Sequence, residues 1–177
     1  MIYTVEQIVQ AVGTLDKAEK ERLMRALAKL DQGPEAAREA MRPSPAVEPD
    51  CVLTYHSDAE SGLARFSLWA RADPAPRLHR LPLAGAASHS EGEYDALLAG
   101  LERLAADAAA RGEALGQLSV EIRGASRLVV QQVMGLWKSS NARLQGRRDQ
   151  ALALLRQFGA FRFRELSSSE VVAMLGD

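Results

Sequence analysis

Segments of two-residue and of 3.6-residue hydrophobic period follow one another along this chain in an order that few folds accommodate. Val52–His56 reads as a strand. Leu63–Ala70 alternates around Ala64, Phe66, Leu68 and Ala70, and Arg77–Leu83 alternates around Leu78 and Leu81. Asp58–Gly62 has turn chemistry, so the first two strands form a hairpin. From Glu91 to Arg111 the period becomes helical, and Gly112 is the expected stop. A fourth strand at Leu118–Ile122 follows, then a short helix at Ser126–Val133 capped by Ser126. A helix at Asn141–Phe158 sets Leu144, Leu152, Leu155 and Phe158 on one side, and Gly159 ends it. A strand at Phe161–Leu166 and a serine-capped helix at Ser167–Leu175 complete the chain. A meander of strands followed by alternating helices and strands folds as an α+β domain, a mixed sheet with helices packed on it.

The segment upstream is of a different kind. Thr4 with Gln7, and Asp16 with Glu19, are spaced as capping boxes for two short helices. Ile8, Val9 and Val12 form the apolar stripe of the first, and Leu23, Leu27 and Leu30 that of the second. Two such helices bury little surface alone, so residues 1–31 are expected to be a helical hairpin. Its apolar side meets either the main domain or a second copy of the chain through residues 4–30. Gly33, Pro34, Pro43, Pro45 and Pro49 mark residues 32–50 as a linker, because each proline removes a donor and restricts the residue before it. The main domain then spans 51–177.

Composition excludes several classes. The net charge is −1, so any surface for a polyanion is a local patch. Cys51 is the single cysteine, which rules out an internal disulfide and a cysteine-based metal site. No apolar run approaches the roughly 20 residues of a membrane helix, and the first residues lack the character of a signal peptide. The expectation is a cytoplasmic protein without a membrane partner. Its alanine and arginine content is in keeping with a GC-rich bacterial genome.

Two segments carry a more specific message. Gly92-Glu93-Tyr94-Asp95-Ala96-Leu97-Leu98-Ala99-Gly100-Leu101 opens the long helix, and Gly124-Ala125-Ser126-Arg127-Leu128-Val129-Val130-Gln131-Gln132-Val133 follows the fourth strand. Together they resemble the ribonuclease H family, whose long helix begins A-E-Y-x-A-L-x-x-G-L and whose fourth strand ends in G-D-S-x-L-V-x-x-Q-V. The resemblance covers about 125 residues. It implies a five-stranded mixed sheet with packed helices, to which the N-terminal helical pair is added.

The resemblance also implies a chemistry. Family members hydrolyse the RNA strand of RNA–DNA hybrids, with four carboxylates holding two magnesium ions that clamp the attacking and leaving oxygens. Glu93 matches the helix carboxylate. At the fourth strand Ala125 stands in place of aspartate, and alanine cannot coordinate a metal. The first-strand aspartate falls on Tyr55 or His56. Asp58, a few residues on, is either a displaced ligand or a hairpin-turn residue. The C-terminal aspartate falls on Val171 or Val172, with Glu170 beside it as a displaced ligand or as the acid of a capping box. The expected result is a degenerate member, with either no cofactor or a weakly bound Mg²⁺ near Glu93. His56, His79 and His89 are not spaced as a ligand set. His89 lies close to Glu93 in sequence, and a His–Glu pair there could do acid–base work, although an exposed loop histidine is the commoner arrangement.

Between Ile122 and Arg164 stand Arg123, Arg127, Lys138, Arg143, Arg147, Arg148, Arg156, Arg162 and Arg164, against the single acid Asp149. Trp137 lies among them. Clustered arginine with an aromatic suits phosphate contacts and base stacking; the alternative is a solvated helix face with Trp137 in the core. Three functions follow from these readings. The first is a pseudoenzyme that binds RNA–DNA hybrid or duplex through this basic stretch. The second is a magnesium-dependent nuclease using Asp58, Glu93 and Glu170. The third is a dimeric interaction scaffold.

Overall fold

A computed structural model describes residues 48–58, 61–83 and 88–176. The helical pair with its dimerisation role, and all but the last residues of the linker, lie outside the described residues. The elements are β1 Cys51–Asp58, β2 Leu63–Ala70, β3 Arg77–Pro82, α1 His89–Ala110, β4 Ser119–Gly124, α2 Arg127–Val133, α3 Ala142–Leu155, β5 Ala160–Glu165 and α4 Ser168–Leu175. The five strands form one sheet in the order β3-β2-β1-β4-β5. β1 pairs antiparallel with β2 and parallel with β4, and β5 joins β4 in parallel. The mixed α+β architecture is the one the hydrophobic periods require.

The two sheet faces are covered unequally. Leu53, Tyr55, Phe66, Leu68 and Ile122 point toward α1, where Leu97, Leu101 and Leu104 meet them and are fully buried. Gly100 of the family-like motif has a direct function here, because a Cβ at that position would collide with the Leu53 side chain. α1 can therefore lie close on β1. Gly124 serves in the same way for the Tyr55 ring, which a Cβ would approach to 2.6 Å. Tyr94 on α1 donates to Gln132 on α2 at 3.1 Å within the core and ties the two motif segments together. Gly112 at φ +71° follows the Arg111 cap and lets the chain leave α1 in the left-handed region. On the other face α4 is the helix that packs against the sheet.

That second face holds a buried charge. Glu121 is 3% exposed, and its carboxylate accepts from Arg123 Nε at 2.7 Å and from Arg162 Nε at 2.6 Å. Burial by itself would raise the carboxyl pKa; the two arginine hydrogen bonds outweigh it and hold the value below the ordinary 4.5. A depressed folded pKa adds stability above the unfolded value, and that stability is lost as pH falls through the folded value. Glu121→Gln is expected to be less stable than the parent by about 1–2 kcal/mol at pH 7. In urea titrations the two proteins converge as pH is lowered below about 4.5. A constant gap across that range would show that the carboxylate charge contributes nothing.

Candidate active-site region

Helix α1 starts two residues earlier than its hydrophobic period suggests. Ser88 caps it, accepting from the Glu91 amide at 3.3 Å, so His89 is the first helical residue rather than part of a loop. This shift gives the acids their roles. Glu91 is the first-turn acid that favours the helix dipole, and Glu93 lies two residues further on, beyond that turn. The start of the helix sets His89 and Glu93 four residues apart on one side, with His89 Nε2 3.6 Å from Glu93 Oε1.

Glu93 is 1% exposed and points at the end of β1. Its Oε1 accepts from the Ser57 amide at 2.9 Å and from the Ser57 hydroxyl at 3.3 Å. His56 Nδ1 lies 3.0 Å from the same oxygen, off the line of a hydrogen bond but at ion-pair distance. Buried Glu93 Oε2 has no hydrogen-bond partner. The Ser57 hydroxyl also stands 3.5 Å from His89 Nδ1, and the His56 and His89 rings are 6.3 Å apart edge to face. Two imidazoles and a serine therefore surround one buried carboxylate.

The remaining carboxylate positions of the resemblance have become apolar or structural. Tyr55 is fully buried in the core, over Gly124. Thr54 pairs with Arg123 in the β1–β4 register, and continuing that register two residues sets His56 beside Ala125. Ala125 packs with Leu166, Val171 and Leu175, and Val171 is 0% exposed. Where two metal-binding aspartates would face each other, β4 and α4 make an apolar contact. Asp58 is the last residue of β1 rather than a turn residue, and its carboxylate lies 3.9 Å from Arg65 Nη2. Exposed Glu170 accepts from the Ser167 amide at 2.8 Å and hydroxyl at 2.6 Å, and so closes the capping box of α4. Those hydrogen bonds hold its pKa below the usual carboxylate value. Hard cations bind clusters of carboxylate oxygens. Among the described residues no group of three or more His, Cys, Asp or Glu side chains could hold a metal ion, so the side chains present do not fit a two-magnesium centre.

The basic stretch is divided by the fold. Arg143 and Arg147 do not form the outer side of α3 but turn toward α1. Arg143 Nε is 2.8 Å from Glu91, and Arg147 Nε is 2.7 Å from Asp95. Arg148 pairs with neighbouring Asp149. Arg123 lies on the face that α4 covers, in a pocket with Val52, Trp69 and Met174. Trp137, by contrast, stands outside the core at 45% exposure. The Arg127 guanidinium sits 5.9 Å from its ring centroid, and Leu136 and Lys138 beside it are exposed. Cys51 is buried, which pushes its thiol up to about 11 and leaves it protonated at neutral pH.

The sheet order, the long helix over β1 and the single helix on the reverse face define a ribonuclease H-like fold. Solved structures agree. LC11-RNase H1, in complex with an RNA/DNA hybrid, superposes with a TM-score of 0.56 at 16% identity, covering 70% of this chain and 90% of that one. The N-terminal RNase H domain of a Mycobacterium tuberculosis protein gives 0.53 at 22% identity, covering 69% and 90%. RNase H1 of Halobacterium salinarum gives 0.50 at 24% identity, covering 68% and 86%. No family model and no curated protein matches the sequence. At such identities the likeness carries the fold and not the activity. Among the described residues no helix is long and apolar enough to cross a membrane.

Proposed function

We propose that this domain binds RNA–DNA hybrid or duplex nucleic acid and lacks two-metal hydrolysis. The observation that carries the binding half is the exposed Trp137 with the Arg127 guanidinium over its ring. A large aromatic kept out of the core, with one guanidinium over it and an exposed lysine next in sequence, suits stacking and phosphate contact. The same fold in LC11-RNase H1 holds an RNA/DNA hybrid, which supports the reading. The catalytic half rests on the packing of Ala125 against the apolar cluster that contains Val171. Most of the basic stretch is neutralised by Glu91, Asp95, Asp149 and Glu121, so the surface is centred on Arg127, Trp137 and Lys138.

Fluorescence titration of the full chain with labelled hybrid tests this. Affinity is expected to fall as salt rises, because bound phosphates release counterions. Trp137→Ala should weaken binding by about 1–3 kcal/mol. Magnesium should add no cleavage to the bound complex. Binding that is absent at low salt, or unchanged in Trp137→Ala, overturns the assignment of this surface.

A further inference from the structure

The proposed binding role makes no use of the cluster at the end of β1. His56 and His89 flank the buried Glu93 carboxylate with their rings 6.3 Å apart, and Ser57 fixes that carboxylate through its amide and hydroxyl. His56 is 16% exposed; His89, with Nδ1 3.5 Å from Ser57 Oγ and Nε2 3.6 Å from Glu93 Oε1, is still 57% exposed and can turn toward solvent. Glu93 faces Nδ1 of His56, leaving Nε2 as the nitrogen turned away from the carboxylate. A histidine oriented by a buried carboxylate is the arrangement of a general base, and a second imidazole nearby can serve as the acid. Among the described residues no free nucleophile stands beside them, since Ser57 is 1% exposed and already bonded to Glu93. The group that the imidazole pair can activate is then water or a hydroxyl of the substrate itself.

We infer that His56 and His89 are catalytic residues for metal-independent cleavage of unpaired RNA, in which the RNA's own 2′-hydroxyl is the nucleophile. His56 Nε2 takes the proton from O2′ as O2′ bonds to the adjacent phosphorus. The P–O5′ bond breaks, and the His89 imidazolium protonates the departing O5′. The products are a 2′,3′-cyclic phosphate and a 5′-hydroxyl, with no oxidation or reduction and no net proton change. Glu93, fixed by Ser57 and 3.0 Å from His56 Nδ1, is a positioning residue for that imidazole. The substrate class follows from geometry. O2′, phosphorus and O5′ must come into line, which a flexible single strand permits and a paired helix resists. The inference rests on the proposed nucleic-acid binding only in that a polynucleotide must reach this end of the sheet.

The test uses the full chain in EDTA with an end-labelled DNA oligonucleotide carrying one internal ribonucleotide. The expected result is a single cut after the ribose, ending in a cyclic phosphate. The all-deoxy oligonucleotide should stay intact. His56→Ala and His89→Ala should each lose at least about a hundredfold in rate while still binding the all-deoxy strand. Glu93→Gln should lower kcat and leave KM in place. Binding without cleavage overturns the inference, and so does failure to bind the single strand, while the hybrid titration decides the binding role separately. Cleavage that persists in both histidine variants, or that needs magnesium and leaves a 3′-hydroxyl, also overturns it.

Discussion

Tyr55→Ala is expected to cost about 3–5 kcal/mol of stability, while Tyr55→Phe is expected to leave stability unchanged or raise it. The ring is fully buried over Gly124, so its removal leaves a cavity that the glycine cannot fill. The hydroxyl is another matter. It is buried with no hydrogen-bond partner, and its desolvation is an uncompensated cost in the folded state. Burial first, and then the charge of Glu93, hold its pKa well above the ordinary 10, so it stays protonated throughout the working range. Urea unfolding of both variants at pH 7 checks the pair. A large loss in Tyr55→Phe would mean that the hydroxyl is bonded in solution.

Val171→Asp places a carboxylate where the ribonuclease H resemblance puts one, and it is expected to destabilise the domain rather than restore chemistry. Val171 is 0% exposed among Leu166, Leu175 and Ala125. A charge there enters an apolar cluster, and left unpaired it costs on the order of 3–5 kcal/mol. Such an aspartate escapes the cost only by staying protonated or by detaching α4 from the sheet. Thermal unfolding of Val171→Asp, alone and with Ala125→Asp, measures the effect. Stability equal to the parent in the double variant, restored by magnesium, would show that the carboxylate site can still be rebuilt.

Much of the fold was legible because periodicity is a local property. The five strands, the long helix and the serine caps of α2 and α4 stand where the residue pattern puts them, while the Asn141 cap of α3 is seen only in the structure. The start of α1 was not, because Ser88 caps it outside the apolar pattern, and that displacement of two residues turned His89 from a loop residue into a neighbour of Glu93. The basic stretch misled for a related reason. A count along the chain ignores which acids lie across the fold, and Glu91 and Asp95 of α1 hold Arg143 and Arg147 in ion pairs. His56 gave little signal as a site residue, since nothing local marks a strand histidine whose partner is 37 positions away.

The sequence by itself determined the element order, the family-like motifs and the loss of the aspartate at Ala125. Each of these is written in residues close together along the chain. Only the tertiary structure decided what replaced the lost carboxylates: packing of Ala125 on the Leu166, Val171 and Leu175 cluster, and two imidazoles with a serine around Glu93. Those groups come from β1, α1, β4 and α4. Their side chains meet only because parallel pairing of β1 with β4 and the packing of α1 and α4 on opposite faces bring distant segments together at one end of the sheet.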